Sequence, residues 1–465
     1  MLTHLHIRNF KAWKDTGPIR LAPLTVIFGA NSAGKSSLGH LLLALKQTSL
    51  LTDRRRALHL GDANSPIDLG TFADCLHGHD LKARLEFTLA WRLPQPVEFR
   101  DPLQPGQAYV GNRMQLASVL HADARGLPEL QRFDYQLINE VGAPQLSVEH
   151  GLRGSGKAYL HVDPMKLAMK QGSKWPIEPP EKFYRFSDVT LARYRNADSL
   201  SQFALATERL LAGLGYLGPL REPPRRTYSW AGDIVPDVGA RGEFAIPALL
   251  AATQQGRELN RGYRKKKDRF DRFIAAWLRD LGVIESFSMQ AVGQGRKEYE
   301  VLVRARKGAP EVKLTDVGFG VSQMLPALVQ AFYAPADSIV WMEQPEIHLH
   351  PLVQAELADA FISAVQAHED GRPRNVQLIV ESHSEHFLMR LQRRIAEEAI
   401  SADDVAVHFA RQAGSSLDLE ALRMDRYGEI ENWPDNFFGD EMTEIAGRTQ
   451  AAMKRRIKDR GTTHG

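Results

Sequence analysis

The segment Gly29-Ala30-Asn31-Ser32-Ala33-Gly34-Lys35-Ser36 constrains this chain most, because it requires a strand, a tight turn and a helix in that order. The apolar run Leu24–Phe28 reads as a buried strand and the Leu-rich stretch Leu38 to Leu45 as a helix, so the glycines fall at the strand-to-helix turn. At such a turn, free backbone N–H groups and the positive helix end cradle a polyphosphate. Gly29 and Gly34 let the backbone approach it without a Cβ clash. Lys35 supplies a point charge between the last two phosphates, and the Ser36 hydroxyl is the expected magnesium ligand. Asn31, Ser32, Ala33 and Ser37 complete the predicted nucleotide-contacting set. The competing reading is a chance match in a Gly-rich turn, and the flanking strand and helix count against it.

With 465 residues the chain can bury one large core plus a substantial insertion, or form two to three domains. A hydrophobic share of 43% with 25% charged residues describes an ordinary globular protein. The single cysteine, Cys75, excludes an intrachain disulfide framework and fits a reducing cytosol, so a cytoplasmic location is expected. No apolar stretch is long enough to span a bilayer, and Met1 to His6 does not resemble a signal peptide, so no membrane partner is expected. A net charge of +3 does not announce a nucleic-acid binder. Local basic clusters are more suggestive: Arg54-Arg55-Arg56, Arg261 through Lys267, and Lys454-Arg455-Arg456 with Lys458 and Arg460. Each reads either as a solvated face or as a contact with a polyanion.

The chain opens with alternating Leu2, Leu5, Ile7 and Phe10, an edge-type strand, and Leu81 to Trp91 alternates again. From about Pro94 to Ala309 Pro and Gly punctuate short strands (Phe133–Leu137, Ala158–Val162), followed by helical segments at Ser199–Leu214 and Gly262–Leu281. Beyond Glu311 helices at Val321–Tyr333, Pro351–Ala367 and Ser384–Ala399 alternate with buried strands at Ile339–Met342 and Val376–Val380. Two short strands follow, Val405–Ala410 and Leu417–Leu422, then a Trp433-Pro434-Asp435-Asn436-Phe437-Phe438 segment and a basic helix. The expected fold class is α/β with a largely parallel central sheet. The expected division is 1–93 and 310–400 for the core, 94–309 for an inserted mixed α/β lobe, and 401–465 for a small C-terminal domain.

Ile339-Val340-Trp341-Met342-Glu343 is an apolar strand delivering an acid to its C-terminal end, the place of the carboxylate that holds magnesium beside a phosphate loop. Upstream lies Asp316-Val317-Gly318-Phe319-Gly320-Val321-Ser322-Gln323, a glycine-containing turn feeding a helix. Downstream, Val380-Glu381-Ser382-His383-Ser384 is a strand end carrying a histidine. Taken with Glu-Gln-Pro-Glu-Ile-His-Leu-His-Pro at 343–351, Glu381-Ser382-His383-Ser384-Glu385-His386, Trp-Pro-x-x-Phe-Phe at 433–438 and Tyr216-Leu217-Gly218-Pro219-Leu220-Arg221, these motifs resemble the ABC-type ATPase heads of the SMC, RecF and OLD group. The bacterial branch with a short C-terminal domain of unknown function is the most similar.

The resemblance implies a P-loop NTPase fold of ABC-head type, ATP and Mg2+ as cofactors, and a head-to-tail homodimer with ATP sandwiched between heads. Each nucleotide would lie between Lys35 of one subunit and Gly318, Gly320, Ser322 and Gln323 of the other. Glu343 would hold magnesium with Ser36, and His383 would act as the switch histidine at the γ-phosphate. The chain departs from the group at two points. Gly318 stands where the signature turn usually has a serine, with Ser322 as substitute. Gln344 follows the acid where a water-activating glutamate is usual, which predicts slow hydrolysis unless Glu346 reaches the water. No glutamine is recognisable for the metal-side loop, whose place Gly70–Asp74 occupies.

Of the remaining residues, His348-x-His350 reads either as metal ligands or as part of a dimer-contacting loop. Glu381 and Glu385 read as helix N-terminal acids or partners of an Arg. Arg221, Arg225 and Arg226 read as a phosphate surface or a solvated loop. No carboxylate pattern of a Toprim nuclease appears, so an effector would be a separate chain. Two functions stay open: an ATP-driven motor or clamp in DNA-linked or antiviral defence work, and a nucleotide-dependent protein-binding scaffold without nucleic-acid contact.

Overall fold

Leu24–Gly29 is buried at every position, as a strand covered on both faces must be. In this computed structural model, which describes residues 1–101, 103–104, 106–170, 176–261, 266–293, 297–413, 416–434 and 449–453, that strand lies inside a six-stranded sheet. The order is Leu214–Leu217, Ile339–Glu343, Gln377–Glu381, Leu24–Gly29, Val405–Ala413 and Ser416–Leu422. The first five pair in parallel and the last is an antiparallel edge.

Period-two alternation splits the sheet's side chains between two cores. Leu24, Val26, Phe28, Val340, Met342, Leu378 and Val380 face one cluster, shared with helices Ala245–Gln254, Phe270–Asp280, Phe319–Tyr333, Pro351–Gln366 and Glu385–Ala396. Ile27, Ile339, Trp341 and Ile379 face the other, which holds helix Lys35–Leu50 and an eight-stranded antiparallel sheet. Gly39 of that helix makes room for the buried Trp341 ring: a Cβ there would meet Nε1 of Trp341 at 2.6 Å.

The expected parallel core and mixed α/β insertion are present, with shifted boundaries. Strand Leu85–Arg100 runs through the 93/94 division, pairing with Leu2–Phe10 on one side and Ala108–Ala122 on the other. The insertion's strands are therefore one sheet with the chain start, and at 15 residues for Ala108–Ala122 they are longer than the Pro and Gly spacing suggested. Helix Asp198–Ala212 stops before Gly213, and Leu214–Leu217 crosses into the core as its edge strand instead of extending the helix. The helix expected from Gly262 starts at Phe270, after a Glu258–Asn260/Lys267–Arg269 hairpin. Its buried stripe, Phe270, Phe273, Ile274, Trp277 and Leu278, has the helical period, which the basic run before it lacks. The helix after His383 ends at Ala396, with Glu397 as its C-cap. Beyond the 400/401 division, Val405–Ala413 enters the central sheet beside the phosphate-loop strand. Of the Trp433–Phe438 segment only Trp433 and Pro434 are described, and the basic tail from Lys454 lies outside the described residues. No described helix is long and apolar enough to cross a membrane.

Candidate functional site

Parallel pairing brings the carboxyl ends of three strands together: Glu343 is level with Glu381, and Glu381 with Ile27 two residues before Gly29. Between Gly29 and helix Lys35–Leu50 the chain turns through two left-handed residues, Ser32 at φ 63° and Gly34 at φ 70°. Gly34 is fixed from behind, since its carbonyl accepts from Trp13 Nε1 at 2.9 Å and an added Cβ would lie 2.7 Å from Leu417. The Lys35 ammonium donates to the carbonyls of Gly29 and Ala30, at 2.9 and 2.8 Å. Burial lowers its pKa, against the pull of Glu381, Glu346 and Glu343.

The loop opens onto a cleft of about 340 Å³ lined by Lys11, Ala12, Asn31 to Ser37, His40, Gln344, Glu381 and His383. Most of the nucleotide-contacting residues expected from sequence are thus gathered at one cavity, with Gln344 and His383. Gly318, Gly320, Ser322 and Gln323 do not line it. Gly318 is exposed at the N-cap of helix Phe319–Tyr333, and Gly320 lies against Leu349 and His348. Ser322 and Gln323 are buried, and Ser322 lines a separate small pocket with Pro223 and Tyr228.

The acid strand divides its work in an order the sequence did not predict. Glu343 Oε1 accepts from Tyr216 OH at 2.7 Å, His40 Nε2 stands 3.6 Å away, and the Glu343 carbonyl accepts from Arg221 Nη2 at 3.2 Å. Burial pushes the Glu343 carboxyl up, but nearby His40, the Tyr216 hydrogen bond and the neighbouring Ser36 hydroxyl outweigh it and hold the pKa below the usual range. It is Glu381 that accepts the Ser36 hydroxyl, Oε2 to Oγ 2.9 Å, while Trp341 Nε1 donates to its Oε1 at 2.8 Å. Glu381 was expected to hold a helix N-terminus or pair with an Arg; it meets the first turn of helix Lys35–Leu50 through the Ser36 hydroxyl. Burial and the neighbouring Glu343 charge raise its carboxyl to about 8.

Gln344 adopts φ +45° with its N–H on the Glu381 carbonyl, and His348 has φ +62°, so backbone strain collects in the loop behind the acid. Glu346 does not line the cleft. Its Oε1 accepts from Ser382 Oγ at 2.8 Å and from the His383 N–H at 2.7 Å, so it holds the histidine loop in place. Burial raises its pKa, opposed by those hydrogen bonds and by Arg221. His383 is held toward its neutral form by burial and by Lys35. His350 caps helix Pro351–Gln366, its ring accepting from the Leu352 N–H. Among the described residues no group of three or more His, Cys, Asp or Glu could hold a metal. The Ser36 hydroxyl beside the carboxylates of Glu381 and Glu343 is a hard-oxygen donor set of the kind that suits a magnesium shared with phosphates.

Sequence reasoning missed Lys11, His40, Tyr216 and Trp341, and left Arg221 undecided. Arg221 is 6% exposed, with Nε and Nη1 lacking partners. Gly70–Asp74, suggested for the metal-side glutamine loop, contains the Thr71/Asp74 capping box of a short helix and does not reach the cleft. Of the basic clusters, residues 262–265 and the tail from Lys454 lie outside the described residues, and several of the others have acidic partners within the chain. Arg54 pairs with Asp188, Arg56 with Asp53, Arg261 with Asp280 and the face of Trp277, and Lys267 with Asp370.

No curated protein matches the chain. Among solved structures it is similar to the SmcHead bound to the C-winged helix domain of ScpA, at 12% identity and TM-score 0.40 over 91% of this chain and 98% of that one. The SMC head domain from Thermotoga maritima aligns at 11% and 0.37, over 91% and 99%. The Smc head with an extended coiled coil bound to the C-terminal domain of ScpA, derived from Pyrococcus furiosus, aligns at 10% and 0.38, over 90% and 96%. Residues 400–446 match a family described as a protein of unknown function (DUF3696). Residues 250–388, which carry the glycine turn, the acid strand and the histidine strand, match the AAA ATPase domain family, so the chain is similar to a P-loop ATPase in its core and to an uncharacterised family behind it.

Proposed function

We propose that this protein is an ATP-binding, slowly hydrolysing ABC-type head whose nucleotide closes a homodimer, acting with a separately encoded effector in DNA-linked or antiviral defence processes. The observation that carries this reading is the division of the predicted nucleotide contacts: Asn31 to Ser37, Gln344 and His383 line one cleft, and Gly318, Gly320, Ser322 and Gln323 do not. A second copy supplying its glycine turn would complete the site, so that ATP acts as glue and its loss as release.

In that site Lys35 leaves the Gly29 and Ala30 carbonyls for the phosphates, and the neutral His383 ring reaches the terminal one. Bound magnesium would neutralise charge on the phosphate oxygens, held by Ser36 and, through water, by Glu343. Gln344 orients the attacking water without accepting its proton, which keeps turnover low. Glu346 acts indirectly, by holding the loop that carries His383.

The test is light scattering of wild type and Lys35→Ala with ATP and Mg2+, alongside turnover with and without DNA. A dimer that forms with ATP only in the wild type supports the reading, and a wild type that stays monomeric with ATP bound overturns it. The scaffold alternative draws support from the ion pairs that occupy Arg54, Arg56 and Arg261. DNA that neither stimulates turnover nor binds with a steep salt dependence would favour it.

A further inference from the structure

Glu381 occupies the strand between the acid strand and the phosphate-loop strand, level with Glu343. It is 1% exposed, yet it lines the cleft beside Ser36 and His383. Both of its oxygens are engaged, by the Ser36 hydroxyl and the Trp341 indole, and its backbone carbonyl accepts from the Gln344 N–H. Holding Trp341 needs one acceptor and holding Ser36 a partner for a hydroxyl that can donate or accept, which the carbonyl and NH2 of a glutamine would supply without burying a charge. A carboxylate beside a second carboxylate is costly there unless a cation arrives. Lys35 does not meet that need directly, because its ammonium is turned to the loop carbonyls.

We infer that Glu381 is a second magnesium-side carboxylate, so that metal entering at Ser36 meets the carboxylates of two adjacent strands. This rests on the ATP-binding reading above. The ion would be held by the Ser36 hydroxyl with Glu343 and Glu381, directly or through water, and the Ser36–Glu381 hydrogen bond shows how near these groups lie. The carboxylate missing at Gln344 is thereby matched by one arriving from the neighbouring strand, on the metal side of the site.

The experiment titrates Mn2+ into the full-length protein with a non-hydrolysable ATP analogue and reads free Mn2+ by electron paramagnetic resonance. Binding of a fluorescent ATP in EDTA runs in parallel. Wild-type nucleotide binding that disappears in Lys35→Ala establishes the ATP site independently, and its absence overturns the ATP reading itself. Glu381→Gln, which keeps acceptor and shape, is expected to weaken Mn2+ binding in the complex by about tenfold or more. Saturable metal-free nucleotide binding by Glu381→Gln serves as the control that the cleft is still formed, so that weakened Mn2+ binding reads the lost carboxylate and not a lost site. Mn2+ binding unchanged in Glu381→Gln overturns the inference. Should that variant fail to fold, Glu381→Asp decides: it keeps the charge but shortens its reach, and unaltered Mn2+ affinity would likewise overturn it.

Discussion

Glu346 lies close enough to the catalytic region to be taken for the missing base, and its hydrogen bonds give it a different task. Oε1 accepts from Ser382 Oγ and the His383 N–H, while Oε2 is buried without a partner. Truncation to Ala strands both donors in a buried setting. Each buried donor left without an acceptor costs about 1–3 kcal/mol, so Glu346→Ala should lose about 2–6 kcal/mol of stability. Glu346→Gln keeps an acceptor at the Oε1 position and removes a carboxyl that burial already drives toward neutrality, so its loss should stay below about 2 kcal/mol. Urea unfolding of nucleotide-free protein measures the first quantity, from midpoints at a common slope. ATP turnover of Glu346→Gln measures the second property, whether the carboxylate touches the attacking water. Turnover within about threefold of wild type is expected, because an acceptor that only positions His383 survives the change. A Gln variant that folds as stably as wild type yet has lost turnover would refute the assignment and return Glu346 to the chemistry.

Gly39→Ala should destabilise by about 1–3 kcal/mol, because the added methyl drives into the buried Trp341 ring, and thermal unfolding reads it. His150 is fully buried, donates Nδ1–H to the Tyr159 carbonyl and stacks on Phe186, and burial lowers its pKa to about 4. The unfolded chain takes up that proton near pH 6.5 and the folded one does not, so this contribution is present above about 6.5 and is lost as pH falls toward 4. His150→Gln should flatten the stability profile in that window, and an unaltered profile there would contradict it. Arg221→Lys replaces a guanidinium that donates to the Glu343 carbonyl, near Glu346, with a point charge. Nucleotide affinity should hold while turnover drops by about tenfold or more, and wild-type turnover would reduce Arg221 to a packing role.

The buried parallel strands were legible because a strand covered on both faces is apolar nearly throughout, as Leu24–Phe28, Ile339–Met342 and Val376–Val380 are; the polar exceptions, Thr25 and Gln377, are buried with their side chains hydrogen-bonded to backbone. The phosphate loop was legible because its chemistry is local. Sequence could not say which strand pairs with which, since periodicity fixes faces and leaves neighbours open. That is why the helix that Glu381 meets could not be named: its contact with Ser36 depends on the histidine strand lying beside the phosphate-loop strand. The same gap hid Leu214–Leu217, an edge strand that continues a helical pattern past Gly213. Arg221 sits in a Pro-rich stretch that looks solvated, and only the fold turns it inward.

The segment matching an uncharacterised family begins with a hairpin stitched to the phosphate-loop strand from Leu24 to Gly29. Leu417 of that hairpin is the backstop for Gly34. Any displacement of that hairpin would therefore be felt first at the turn before Lys35, so the far end of the chain and the loop near its start form one mechanical unit.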